Sequence, residues 1–170
     1  MTRLGIISDT HHHWDDRFYT YFSDCQLILH AGDIGSIEII QKLQKIAPVR
    51  AVYGNIDPPE IRHAFSENIL LEIEKIRIFM THIGGYPGKY QQKAKKILED
   101  LAQQGTPAKL FICGHSHILK VMYDENLALL HINPGAAGLH GWHAVQTLIK
   151  LDLCKGKMSN LQAINLSPRQ

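Results

Sequence analysis

Two short stretches carry residue types suited to chemistry at close spacing. One is Asp9-Thr10-His11, which closes the apolar run RLGIIS, and the other is Gly114-His115-Ser116-His117, which closes KLFICG. Three more runs end on a polar residue of the same kind: QLILHAG before Asp33, VRAVYG before Asn55, and IRIFMT before His82. Histidine is a common metal ligand and the usual proton-transfer residue near neutral pH, and the chain holds 11 of them against 2 tryptophans. The set Asp9, His11, Asp33, Asn55, His82, His115 and His117 therefore offers two carboxylates, one amide and four imidazoles. That exceeds the ligand demand of one tetrahedral zinc. It suits two divalent cations sharing a carboxylate, roughly 3.5–4 Å apart.

Such scattered residues meet only if the fold brings the ends of the runs together. Each run is short and rich in Ile, Val, Leu or Phe, as strands buried on both faces are. Helical patterns lie between some of them. Ser36 stands as the cap of a helix whose stripe is Ile39, Ile40, Leu43, Ile46 and Ala47, and Pro48 ends it. Between Lys89 and Gln104 the residues Ala94, Ile97, Leu98, Leu101 and Ala102 recur at helical spacing, and Gly105 is a C-terminal stop. DDRFYTYF is a weaker helix. Strand, helix, strand, helix in the first half predicts parallel βαβ units. The second half reads as hairpins: LKVMYDENLALLHI folds back at DEN, and AVQTLIKLDL and NLQAINL are strands joined by a Gly-Lys turn. The fold class is α/β, a layered domain with mixed sheets. In open α/β sheets, ligands bind outside the carboxyl ends of strands, where all seven residues fall. Gly32, Gly54 and Gly114 each precede one of them, which allows a tight bend and close approach. Ser116, between two outward histidines, is expected to point away.

Bulk properties remove several function classes. A 170-residue chain with 45% hydrophobic and 20% charged residues reads as one globular domain spanning 1–170. A formal charge of +2 argues against an extended nucleic-acid surface. The cysteines Cys25, Cys113 and Cys154 are odd in number and form no CxxC pair, which fits reduced thiols and a cytoplasmic location. The N-terminal apolar run is too short for a secretion signal, and no window reaches the length of a membrane span.

Read in order, DTH, Gly32-Asp33, GNID (54–57), Thr81-His82 and GHSH (114–117) resemble the signature of the calcineurin-like metallophosphoesterases. The short chain and INPGAAG (132–138) look like that family's small phosphodiesterase branch. The resemblance covers about residues 4 to 138 and implies an α-β-β-α sandwich of two mixed β-sheets flanked by helices. It assigns Asp9, His11, Asp33 and His117 to one metal. Asp33, Asn55, His82 and His115 go to the other, with Asp33 bridging. Asn55 and His82 also stand at the reaction itself, the neutral amide being able to orient a phosphate oxygen. The resemblance implies that two cations so held would lower the pKa of a bound water, making it a nucleophile toward phosphorus at neutral pH. The implied metal is Mn²⁺, although Fe²⁺, Zn²⁺ and Ni²⁺ suit the same donors. The implied substrate is a small phosphodiester, with no membrane and no stable nucleic-acid partner. Oligomerisation is left open.

Each block alone has a plain structural use. Asp9, Asp33 and Asn55 could be turn formers, His115 and His117 a solvated turn, and His82 a core histidine; only the joint pattern favours a site. Of the remaining histidines, His12 and His13 read as rim residues, His30 as core or support, and His63 as surface. His131, His140 and His143 lie near INPG with no assigned role. Lys89, Lys93, Lys95 and Lys96 read as a solvated helix face, and Trp14 as an anchor or a flank of the mouth. The sequence departs from the family at Ile56, where many members carry a histidine taken as the acid for the leaving group. The second acid of GDxxD is also replaced, Asp33 being followed by Ile34, Gly35 and Ser36. Losing general acid catalysis matters most for poor leaving groups, so diesters or activated esters are expected over alkyl monoesters. Competing readings are a scaffold with a weak or inactive site, as in one eukaryotic relative, and a nuclease or cyclic-nucleotide phosphodiesterase.

Overall fold

The apolar runs become strands that end at a common edge. The structure is a computed structural model and describes residues 1–140 and 145–168. The first half runs β1 (Thr2–Ile7), α1 (Arg17–Phe22), β2 (Leu27–His30), α2 (Ile37–Gln44), β3 (Val49–Ala51), α3 (Pro59–Ala64), β4 (Asn68–Ile73) and β5 (Ile76–Thr81). The second half runs β6 (Gly85–Tyr86), β7 (Lys89–Tyr90), α4 (Gln92–Gln103), β8 (Leu110–Ile112), β9 (Leu119–Asp124), β10 (Leu129–Pro134), β11 (Val145–Cys154) and β12 (Lys157–Pro168). The first sheet has the order β12-β11-β1-β2-β3 and the second β4-β5-β8-β10-β9. β1, β2 and β3 are parallel, as are β5, β8 and β10, while β4, β9, β11 and β12 pair antiparallel. Both sheets are therefore mixed, as expected.

Three apolar layers hold these sheets. Between them, Leu4, Ile6 and Leu29 of the first sheet pack with Ile78, Met80, Leu110 and Ile112 of the second, all fully buried. The opposite face of the first sheet, with Ile7 and Ile28, is covered by Phe18, Phe22, Ile40, Leu43 and Ile61 from α1, α2 and α3. The opposite face of the second, with Phe79 and Phe111, is covered by Ala94 and Leu98 of α4. Alternate residues of a strand face opposite layers, so Ile6 and Ile7 serve different cores. Burying each such side chain contributes roughly 1.5–3 kcal/mol. The order of layers is α-β-β-α.

Two local outcomes refine the helix reading. Lys89 and Tyr90 pair with Gly85 and Tyr86 as a small hairpin instead of joining α4. The helix begins later because the Gln91 side chain caps it, accepting from the Lys93 and Ala94 amides at 2.7 and 3.2 Å. Ser36 occupies the N-cap of α2 with no side-chain capping bond. That helix ends at Gln44, yet Ile46 and Ala47 still pack against its core layer.

Candidate metal centre

The carboxyl ends of β1, β2, β3, β5 and β8 deliver all seven residues to one place. Ligand atoms of Asp9, His11, Asp33 and His117 lie within 4.8 Å of one another, and so do those of Asp33, His82 and His115. Asn55 joins the second group, with its Oδ1 3.1 Å from His82 Nε2. Asp33 belongs to both.

Backbone contacts lace the loops together. Asp9 N donates to Gly32 O, His11 N to Asp33 O, and Gly114 N to His82 O, each at 3.0 Å. Five of the seven residues, Asp9, His11, Asp33, His115 and His117, sit at φ between +47° and +67°. Left-handed backbone outside glycine costs energy and persists where surrounding contacts impose it, which is common at functional sites. Two glycines give the clearance. A Cβ at Gly54 would stand 2.0 Å from Asp33 Oδ1, and one at Gly114 would stand 2.0 Å from Ser8 Oγ and 2.7 Å from Asp9 Oδ2.

Each carboxylate has one oxygen tied back and one turned to the imidazoles. Asp9 Oδ2 accepts from Ser8 Oγ at 2.6 Å and from His115 N at 3.1 Å. Asp9 Oδ1 is buried and, among the described residues, accepts no hydrogen bond. It faces His117 Nε2 at 3.1 Å and His11 Nε2 at 3.8 Å. Asp33 Oδ1 accepts from Ile56 N at 3.0 Å, while its Oδ2 faces His82 Nε2 at 3.2 Å and His11 Nε2 at 3.7 Å. His82 Nδ1 donates to Ala31 O at 2.8 Å, which fixes the tautomer and aims the Nε2 lone pair at oxygens of Asp33 and Asn55. His11 Nε2 and His117 Nε2 face each other at 3.3 Å. Lone pairs converging on carboxylate oxygens need a proton or a cation between them. The donor set therefore fits divalent metal, with the orphaned Asp9 oxygen at its centre.

The titration directions agree. Burial alone would raise Asp9, but the imidazoles of His11 and His117 outweigh it and hold the carboxyl well below its usual range. Asp33 likewise falls despite its burial, through His82. Burial opposes charge on His82, yet Asp33 and Asp9 raise it. His115 is lowered by burial and then by His82.

The remaining sequence expectations also find places. Ser116 turns aside, its Oγ accepting from Asn133 Nδ2 at 3.0 Å. The 132–138 stretch supplies backbone contacts, Ala137 N donating to Ser8 O and Gly138 N to Asp9 O, and one supporting side chain, Asn133, whose Nδ2 also donates to Gly114 O at 2.7 Å. His30 is fully buried, with burial pushing it down to about 4. It joins the two aspartate loops, Gly32 N donating to its Nδ1 at 3.2 Å and its Nε2 lying 3.0 Å from Thr10 Oγ1. His12 and His63 are exposed and His13 half-buried. His140, exposed, approaches the site edge-on, its ring 5.8 Å from that of His11. His131 lies under the second sheet's outer layer, with Nε2 donating to Gly85 O at 2.9 Å. His143 lies outside the described residues. Trp14 anchors on Phe18 and Tyr19, at 5.2 Å from each ring.

Sequence reading missed the support under Asn55. Asp57, buried, accepts from Gly35 N at 2.8 Å and from Gly54 N at 2.7 Å. Arg62 donates to the carbonyls of Gly54, Asn55 and Asp57. Asp57 stood inside the GNID block and could have been flagged; Arg62 carried no sequence signal.

A mixed α/β sandwich with an Asp/His cluster at its strand ends defines a metallohydrolase-like class of protein. Residues 2–156 match the calcineurin-like phosphoesterase superfamily domain, and the chain belongs to that family. A probable metallophosphoesterase of Methanothermobacter thermautotrophicus is 35% identical over 141 residues, covering 78% of this chain and 76% of that protein. An archaeal protein described as a novel phosphodiesterase has a TM-score of 0.71 at 25% identity, covering 96% of this chain and 99% of that one. Vps29 of Entamoeba histolytica, solved in complex with zinc, shares the fold at 18% identity with a TM-score of 0.72, covering 97% of this chain and 98% of that one. Family membership makes the chain a metallophosphoesterase with hydrolysis of phosphoesters as the family activity, and no described helix is long and apolar enough to cross a membrane.

Proposed function

We propose that the chain acts, as one domain, as a phosphodiesterase with two divalent cations. The observation that carries this reading is the pair of ligand clusters sharing Asp33. Asp9, His11, Asp33 and His117 would hold one cation; Asp33, Asn55, His82 and His115 would hold the other. When bound, the cations supply a nucleophile at neutral pH and neutralise the phosphoryl oxygens. The chain's own residues do the rest. Ala31 O orients His82, and Ile56 N orients Asp33. Asn55, its Oδ1 turned to His82, keeps an amide N–H for a non-bridging phosphate oxygen. Mn²⁺ is the proposed metal, and the three free cysteines favour a reducing, cytoplasmic setting.

The Ile56 side chain, 42% exposed, lies beside the site and carries no proton to give. A leaving group must therefore depart as a stable anion. The test is hydrolysis of bis(p-nitrophenyl) phosphate against an alkyl monoester after metal removal and reloading with Mn²⁺, Fe²⁺, Zn²⁺ or Ni²⁺. The aryl diester should win by about 10²-fold or more, and His117→Ala should abolish the difference between loaded and stripped protein. Faster alkyl monoester turnover would defeat the leaving-group argument. No activity with any metal, with His117→Ala indistinguishable, would favour a scaffold.

A further inference from the structure

Two clefts adjoin the candidate centre, each lined by ligands of the second cation. One, of about 260 Å³, starts at Asn55 and His82 and is walled by Tyr53, Arg62 and Asn68. The other, also about 260 Å³, starts at His115 and is walled by Tyr86, Lys120 and Asn133. Ile83 lines both, and the rings of His82 and His115 at their inner ends are 5.2 Å apart.

The clefts are built alike. In the first, the Arg62 guanidinium lies over the Tyr53 ring, 4.9 Å from its centroid. In the second, Lys120 Nζ lies over the Tyr86 ring at 3.5 Å. Among the described residues neither cation has a carboxylate partner: Arg62 donates only to carbonyls, and Lys120 forms no ion pair. Each cleft thus pairs an aromatic ring with a positive charge that no carboxylate neutralises, two groups that serve together where proteins take up nucleobases. Neither alone reaches the roughly 300–1,000 Å³ of a site for a drug-sized ligand. Each suits half of a substrate.

We propose that the substrate is a phosphoanhydride joining two nucleosides, one nucleoside in each cleft and the diphosphate across the centre. This rests on the phosphodiesterase reading above and extends it. The anhydride follows from Ile56. A ribose alkoxide is a poor leaving group without a proton donor, whereas a nucleoside monophosphate leaves as an ion whose second ionisation lies near pH 6. In the reaction, water oxygen bonds to one phosphorus and the P–O bond of the anhydride bridge breaks, its electron pair staying on the departing phosphate. Both protons of the water pass to solvent, and two nucleoside monophosphates result.

The probes are P1,P2-di(adenosine) diphosphate, its phosphodiester counterpart adenylyl-adenosine, and AMP. Calorimetric titration into chelator-treated protein reads the clefts without turnover. The diphosphate should bind at least about 10-fold more tightly than AMP. Lys120→Ala and Tyr53→Leu, one variant per cleft, should each weaken it by about 5- to 100-fold. Metal-loaded protein should cleave the diphosphate about 10²-fold or more faster than adenylyl-adenosine. Equal binding of diphosphate and AMP, or two silent variants that fold normally, overturns the two-cleft assignment. Hydrolysis of bis(p-nitrophenyl) phosphate without cleavage of the diphosphate overturns the substrate but leaves the phosphodiesterase reading standing. No hydrolysis of any of these with any cation overturns that reading and this reaction together, while the titration still judges the clefts.

Discussion

Replacing Gly54 by alanine probes the room that Asp33 needs. The new Cβ would lie 2.0 Å from Asp33 Oδ1 and 2.4 Å from Asp33 N, where ordinary contact begins near 3.4 Å. The carboxylate must therefore retreat by about 1.4 Å, against the hold of Ile56 N. Overpacking of this kind costs about 1–3 kcal/mol, and for a chain of this size each kcal/mol shifts Tm by roughly 2–4 °C. A displacement near 1 Å at a positioning group can cost about 10²-fold in rate. The expected result is a Tm lowered by roughly 2–12 °C in chelator, weakened binding of both cations, and diester turnover down by about 10²-fold. Gly105→Ala is the control, because it meets open space and strains only a backbone at φ +73°. It should cost about 1 kcal/mol of stability and leave cation affinity alone. Wild-type cation affinity and turnover in Gly54→Ala would refute the reasoning.

Other outcomes follow from the same contacts. Asp57→Ala strips the partner from two buried amides, Gly35 N and Gly54 N. It should lower stability by about 2–4 kcal/mol in a denaturant titration and loosen the second cation more than the first. Asp152, buried, is held down to about 2 chiefly by the Arg3 guanidinium and then by Asn160, against an ordinary 3.8. Its contribution to stability is thus complete above about pH 4 and fades as pH falls through about 2. Asp152→Asn should be less stable than wild type at neutral pH, with the gap closing toward pH 2 in thermal melts.

Most of the frame was legible because its signals are local. Five apolar runs became β1, β2, β3, β5 and β8, and the residues after them converged because parallel strands end on the same side. Both hairpins of the second half formed, but the last turns one residue earlier than the expected Gly156-Lys157, at Lys155-Gly156, with Lys157 already pairing with Cys154 in β12. What escaped depends on contacts distant in sequence. NILLEI forms β4, whose alternating burial places it half in solvent at an edge, so its apolar signal is diluted. α3 has six residues and one buried side chain, too few for a stripe. Lys93 looked like a solvated helix residue, yet it pairs with Glu67 at 2.6 Å in the wall of a cleft, a partner 26 positions away. Arg62 is similar: its carbonyl partners come from the tip of the β3 loop, and no spacing rule points to them.

The central claim is that two cations share Asp33. Calorimetric titration of Mn²⁺ into chelator-treated protein, with Asp33→Ala and His117→Ala alongside, tests it most directly. Two ions per wild-type chain, one per His117→Ala chain and none held tightly by Asp33→Ala is the predicted result. A single saturable site that Asp33→Ala leaves untouched, or no saturable binding at all, would contradict it.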